Sequence, residues 1–292
     1  MLGALPWSSP QPAAETRLAE LAVDDLLAGL GLANAAWARR PARLLLNGPA
    51  TRFARQLATF DSLIGAVGVP AGGRYLTECL ARRLVVRGAE ELPAEGPLVV
   101  VANHPGLLDG AALFAAIGRD DLQVVAAERP FLDALPHLRR HLFSLGETPF
   151  CRAAAVRAAA QHVKSGGALL TFPAGAIEPD PAAQQGAELS LAAWAPRVEL
   201  LARAVGDAVI VPAAVSGVLS PRALALPITR LRRAEKDRHW LAAVLQVMRP
   251  ALQDVTVRVR FGPAIEMGEP RRRSALVEAA MRELLRASAG PN

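Results

Sequence analysis

With 292 residues, 52% of them apolar, the chain can bury a full core as one large domain or as one domain with a helical extension. Its formal charge of +6 rests on 33 basic residues, of which only Lys164 and Lys236 are lysines. That charge is modest and only 4% of residues are aromatic, which argues against a nucleic-acid binder. Two isolated cysteines, Cys79 and Cys151, have no CxxC spacing, which argues against a zinc site or a disulfide framework and for a reducing setting.

The opening segment, MLGALPWSSPQPAAETR, has no basic stretch ahead of its short apolar part and does not read as a signal peptide. Pro6, Pro10 and Pro12 predict a flexible tail over residues 1–15. No run reaches the ~18 apolar residues needed to span a bilayer. Residues 16–83 then carry helical periodicity. Leu18, Leu21, Ala22, Leu26, Leu27 and Leu30 form one apolar face, closed by Gly29 and Gly31. A second helix is expected within Ala35–Leu46, kinked or split at Pro41 and stopped at Asn47-Gly48-Pro49. A third is expected over Arg52–Val67, ended by Gly68 and Pro70, and a fourth over Arg74–Arg83. Arg39, Arg40, Arg43, Arg52 and Arg55 lie among Trp37, Leu44–Leu46 and Phe53. That mixture suits an interfacial amphipathic segment, and equally a helical subdomain with solvated arginines.

From Leu84 onward strands alternate with helices. Leu84–Gly88 reads as a strand. Leu98–Val101 is four aliphatic residues, three of them β-branched, the pattern of a strand buried on both faces. It stops at Asn103-His104-Pro105-Gly106, and Asp109 precedes the apolar helix Ala111–Ile117. His104 and Asp109 thus stand at the carboxyl end of a buried strand, where open α/β sheets bind ligands. A neutral imidazole takes up a proton near pH 7, and a neighbouring carboxylate fixes its tautomer and stabilises the imidazolium. The pair can activate a substrate hydroxyl; without chemistry it would be a turn residue and a helix N-cap.

Leu122–Ala126 is a further strand, followed by a loop and helix with His137 and His141, which lack an HExxH pattern or a third ligand. Ser144–Arg152 leads into a helix over Ala153–Lys164, whose start disfavours the charge of Arg152. Ala168–Phe172 is a strand ending in the small-residue turn Pro173-Ala174-Gly175-Ala176, where backbone N–H groups can approach an anion or oxyanion. Pro179–Glu188 is expected to be an exposed loop over the site. Strands over Ala208–Val215 and Val255–Phe261, and helices over Pro196–Val205, Glu235–Met248 and Pro270–Ala287, complete the pattern, with a basic cluster at Arg230, Arg232 and Arg233. No GxSxG elbow occurs, which disfavours a serine hydrolase. The alternation predicts an α/β fold with a mainly parallel central sheet flanked by helices over 84–292, behind an N-terminal helical region.

Asn103-His104 with Asp109 resembles the NHxxxxD first block of the glycerolipid acyltransferases, typified by the lysophosphatidate acyltransferases. Gly146, Phe150 and Arg152 resemble the second block. Phe172-Pro173-Ala174-Gly175-Ala176-Ile177 resembles in part the third, Phe-Pro-Glu-Gly-Thr-Arg, and Val209–Ala214 with Pro212 resembles the fourth. All four lie in order within residues 84–216. The resemblance implies transfer of a fatty acyl group from acyl-CoA or acyl carrier protein to the hydroxyl of a lyso-phospholipid or related lipid. It implies His104 as general base and Asp109 as its orienter. Phe150, Arg152, Phe172, Pro173 and Gly175 would be the substrate-binding residues, with Arg152 on the acceptor phosphate. It implies no metal or redox cofactor, and a cytoplasmic protein peripheral on the inner face of the membrane. The third block has Ala174 for the family's Glu and Ile177 for its Arg, which removes a cationic phosphate contact. Glu178 cannot replace it, because its charge repels phosphate, so neutral, zwitterionic or amine-bearing acceptors stay open. The alternative is a non-catalytic lipid-binding adaptor at the membrane surface that retains the fold.

Overall fold

The computed structural model describes residues 12–32 and 34–289. Most of the tail expected over 1–15 lies outside the described residues, but its last four residues are already helical. The described residues open with three helices: α1 (Pro12–Gly29), α2 (Ala36–Val67) and α3 (Val69–Leu80). Then follow β1 (Arg83–Arg87), β2 (Leu98–Ala102), α4 (Asp109–Ile117), β3 (Gln123–Ala127), two short helices α5 (Pro130–Asp133) and α6 (Pro136–Arg139), β4 (Leu142–Leu145) and α7 (Pro149–Lys164). The last part comprises β5 (Ala168–Thr171), α8 (Ala195–Val205), β6 (Val209–Ser216), α9 (Pro221–Leu224), α10 (Glu235–Met248), β7 (Thr256–Phe261) and α11 (Pro270–Ser288).

The seven strands form one sheet in the order β1-β7-β6-β2-β5-β3-β4. Every neighbouring pair is parallel except β6 and β7, so β1 and β7 run against the other five. All five residues of β2 are buried because both faces are covered. Leu98, Val100 and Ala102 join Phe53, Leu57, Leu76 and Leu113 from α2, α3 and α4. Val99 and Val101 point the other way, to Ala160, Val198 and Met281 from α7, α8 and α11. Two cores on one central strand hold its carboxyl end in place.

Three expectations are corrected. The helix stop at Asn47-Gly48-Pro49 is absent: α2 runs on through Pro41 and Pro49. Each proline removes one N–H, but the buried stripe of Ala50, Phe53, Ala54 and Leu57 rewards continuation, and the carbonyl that Pro49 leaves without its helical donor belongs to exposed Leu45. The next helix begins at Val69, not Arg74, because Pro70 in its first turn starts a helix, with Gly68 at φ 110° making the corner. β4 was not expected; its four half-buried residues, Leu-Phe-Ser-Leu, carry no period. On α2, Trp37, Leu44 and Leu45 are exposed, whereas Phe53 is buried and stacks on Phe131 with ring centroids 6.2 Å apart. Arg52 donates to the Met248 carbonyl at 2.7 Å, and Arg55, itself exposed, donates to Glu15 at 3.3 Å. The side chains of Arg39 and Arg43 lie outside the described residues.

Candidate active site

β2 ends at Ala102, and the next residue locks its end to β6. Asn103 donates to the Val215 carbonyl at 2.9 Å and accepts from the Val215 N–H at 2.7 Å. Both backbone groups would otherwise be buried without partners, at a cost of about 1–3 kcal/mol each. His104 follows on this fixed base. Its Nδ1 donates to Oδ2 of Asp109 at 2.8 Å, and the same oxygen accepts the Gly106 N–H at 3.0 Å. Asp109 is the first residue of α4 and is 1% exposed. Its carboxylate, rather than capping the helix, turns back onto the loop. With Nδ1 occupied, Nε2 of the half-exposed ring is the nitrogen left to take up a proton.

A second carboxylate, Glu178, lies beneath the loop. Its Oε2 accepts the His104 N–H at 2.9 Å, its own N–H donates to the His104 carbonyl at 2.8 Å, and Oε1 accepts the indole N–H of Trp194 at 3.0 Å. Trp194 is 1% exposed and Glu178 4%. Two positions on, buried Asp180 accepts the N–H groups of Ala182, Gly217 and Leu219 at 2.8–3.0 Å. The segment expected to be an exposed loop is therefore pinned from its first residues by two inward carboxylates. Burial pulls the pKa of His104 down. The charge and hydrogen bond of Asp109, joined by Glu178, outweigh that pull and hold it above its ordinary value, against a smaller opposing effect of Arg129. Burial raises Glu178 and Asp180 in turn, more than their hydrogen bonds lower them.

The structure brings the first and third blocks together. β5 is the direct neighbour of β2, and the Phe172 ring lies against the His104 ring with centroids 4.8 Å apart. Pro173-Ala174-Gly175 turns with Gly175 at φ 66° and its N–H donating to the Phe172 carbonyl at 3.0 Å. That N–H, like those of His104 and Gly106, is already used and is not an oxyanion donor. The second block stands apart. Phe150 is 76% exposed, and the Arg152 guanidinium donates to the carbonyls of Gly146 and Glu147, at 3.1 and 2.6 Å. A hollow of about 380 Å³, lined by Asn47, Thr51, Arg52, Arg55 and Tyr75 among others, lies on α2 and α3 and includes none of these residues.

Glu178, Trp194 and Asp180 were missed as parts of the site. The one signal was an acidic residue closing an otherwise small and apolar turn, Ala-Gly-Ala-Ile-Glu; nothing in the sequence ties it to a tryptophan sixteen residues on.

Residues 83–216 match the Acyltransferase family. Among solved structures, a 1-acyl-sn-glycerophosphate (LPA) acyltransferase, PlsC, from Thermotoga maritima is similar, at 16% identity over 83% of each chain and a TM-score of 0.48. No curated protein matches the chain.

Proposed function

We propose, from the match of residues 83–216 to the Acyltransferase family, that the protein transfers a fatty acyl group from a thioester donor to a lyso-phospholipid hydroxyl, with His104 as general base. The observation that carries this reading is the hydrogen bond from His104 Nδ1 to buried Asp109, which leaves Nε2 as the proton acceptor at the carboxyl end of β2. Nε2 takes the proton of the acceptor hydroxyl as its oxygen attacks the thioester carbonyl carbon. The tetrahedral intermediate collapses, the C–S bond breaks, and the departing sulfur receives the proton back from Nε2. Products are the new ester and the free thiol, CoA or the carrier protein's pantetheine. Oxyanion stabilisation falls to N–H groups of the 173–176 turn other than that of Gly175. Phe172 and the Pro173–Gly175 turn border the acceptor oxygen, and Phe150 and Arg152 are assigned to the head group of the acceptor.

No helix among the described residues is long and apolar enough to cross a membrane. Exposed Trp37, Leu44 and Leu45 support contact with a bilayer surface, where such acceptors reside.

The test is thioester consumption by the wild type and His104→Ala over a panel of lyso-lipid acceptors with acyl-CoA and acyl carrier protein as donors. Acceptor-dependent turnover lost in the variant is expected. Equal turnover by both proteins would overturn the role of His104, and no turnover with retained vesicle binding would favour the adaptor.

A further inference from the structure

The third block lacks the arginine that resemblance leads one to expect, since position 177 is Ile. A cation nevertheless stands at this turn. Arg197, in the first turn of α8, donates through one terminal nitrogen to the carbonyls of both Pro173 and Ala174, to the latter at 2.6 Å. That nitrogen lies 3.5 Å from where a Cβ on Gly175 would sit. The remaining two nitrogens of the guanidinium have no partner, and no carboxylate pairs with it, among the described residues.

Its place is fixed by a closed ring of contacts. His104 donates its N–H to Glu178, and Glu178 accepts from the Trp194 indole. The Trp194 carbonyl accepts the Arg197 N–H at 2.9 Å, Arg197 holds the Pro173–Ala174 turn, and Phe172 returns to the His104 ring. A positive charge in the first turn of a helix opposes the helix dipole. A guanidinium kept there, exposed, rigidly held and half unused, is suited to a phosphate, which accepts two parallel N–H bonds from such a fork.

We infer that Arg197 supplies the phosphate-binding cation of this site, in place of the arginine missing at position 177. This rests on the acyl-transfer reading above. The phosphate belongs either to the acceptor head group or to the nucleotide of an acyl-CoA donor. The inference also reverses an expectation from sequence: Glu178 turns inward and presents no charge to a head group, so an anionic acceptor is admitted after all.

The experiment is steady-state kinetics of wild type, Arg197→Gln and Arg197→Lys. One arm compares 1-acylglycerol-3-phosphate with uncharged monoacylglycerol at fixed donor; the other compares acyl-CoA with acyl-pantetheine at fixed acceptor. Glutamine keeps an N–H donor for the turn carbonyls but no charge, and lysine keeps the charge. The expected result is a KM about tenfold higher in Arg197→Gln for the phosphate-bearing partner, with kcat changed much less. The loss on the phosphate-free partner should be several-fold smaller, and Arg197→Lys should recover much of the difference. The arm in which the split occurs identifies whose phosphate is bound. An equal fall in kcat on every substrate would make Arg197 a clamp on the turn and overturn the inference, as would no change at all. A wild type active only on monoacylglycerol with acyl-pantetheine would overturn it while leaving acyl transfer intact. A wild type with no acceptor-dependent turnover would bring down the acyl-transfer reading itself.

Discussion

The His104 loop and the Phe150–Arg152 segment were both expected to touch substrate, yet they are held in opposite ways. Around His104 each supporting group is buried and has protein partners: Asp109 takes the ring and the Gly106 N–H, Glu178 takes the backbone and Trp194. Around Arg152 the donors go to carbonyls of its own loop, and Phe150 faces solvent. β4, which leads into that segment, is three strands from β2 in the sheet, about 14 Å at the usual strand spacing. A general base has to be oriented before substrate arrives, since its position sets the barrier. A head-group contact can form when the ligand does, and an exposed side chain beside polar carbonyls costs little to leave waiting.

Breaking the first region should therefore cost far more than breaking the second. Replacing His104 by Ala should lower kcat about 10³-fold or more, with an unchanged far-ultraviolet circular dichroism spectrum. Asp109→Asn should cost about 10²–10³-fold, because the ring loses both its tautomer and the charge that stabilises its protonated form. Glu178→Gln should cost about tenfold in kcat and lower the Tm by a few degrees. An amide cannot offer an acceptor to both the His104 N–H and the Trp194 N–H without turning its NH2 on one of them. Arg152→Ala should raise the acceptor KM less than about tenfold with kcat nearly intact, in the same assays. If Arg152→Ala matched His104→Ala in kcat, the contrast between the two regions would be gone.

The parts of the molecule legible in sequence are those in which local pattern and tertiary environment agree. β2 is a run of aliphatic residues because it is covered on both faces, and its break at Asn-His-Pro-Gly coincides with the end of the sheet. The parallel sheet, α4, α10 and α11 could be read in the same way. What could not be read depends on contacts between distant segments. The continuity of α2 through two prolines is decided by burial against α1 and α3. The edge strand β4 is too short and too evenly half-buried to show a period. Glu178 looked like an obstacle to an anionic ligand as long as its direction was unknown; Trp194, from the far side of the polar segment, turns it under the histidine. His104 and Asp109 are close in sequence, and their pairing was foreseeable. Their second support was not.

The most direct test of the proposed base is the pH dependence of kcat/KM for acceptor-dependent thioester loss, in the wild type and in Asp109→Asn. The working form of His104 is deprotonated, so the rate falls as pH drops through its pKa. With that pKa held up by Asp109 and Glu178, the acid limb of the wild type should lie above the ordinary histidine value of about 6.5. In Asp109→Asn burial acts with only Glu178 to oppose it, and the limb should move to lower pH as the plateau falls. An acid limb that stays in place in the variant would contradict a general base charged and oriented by Asp109.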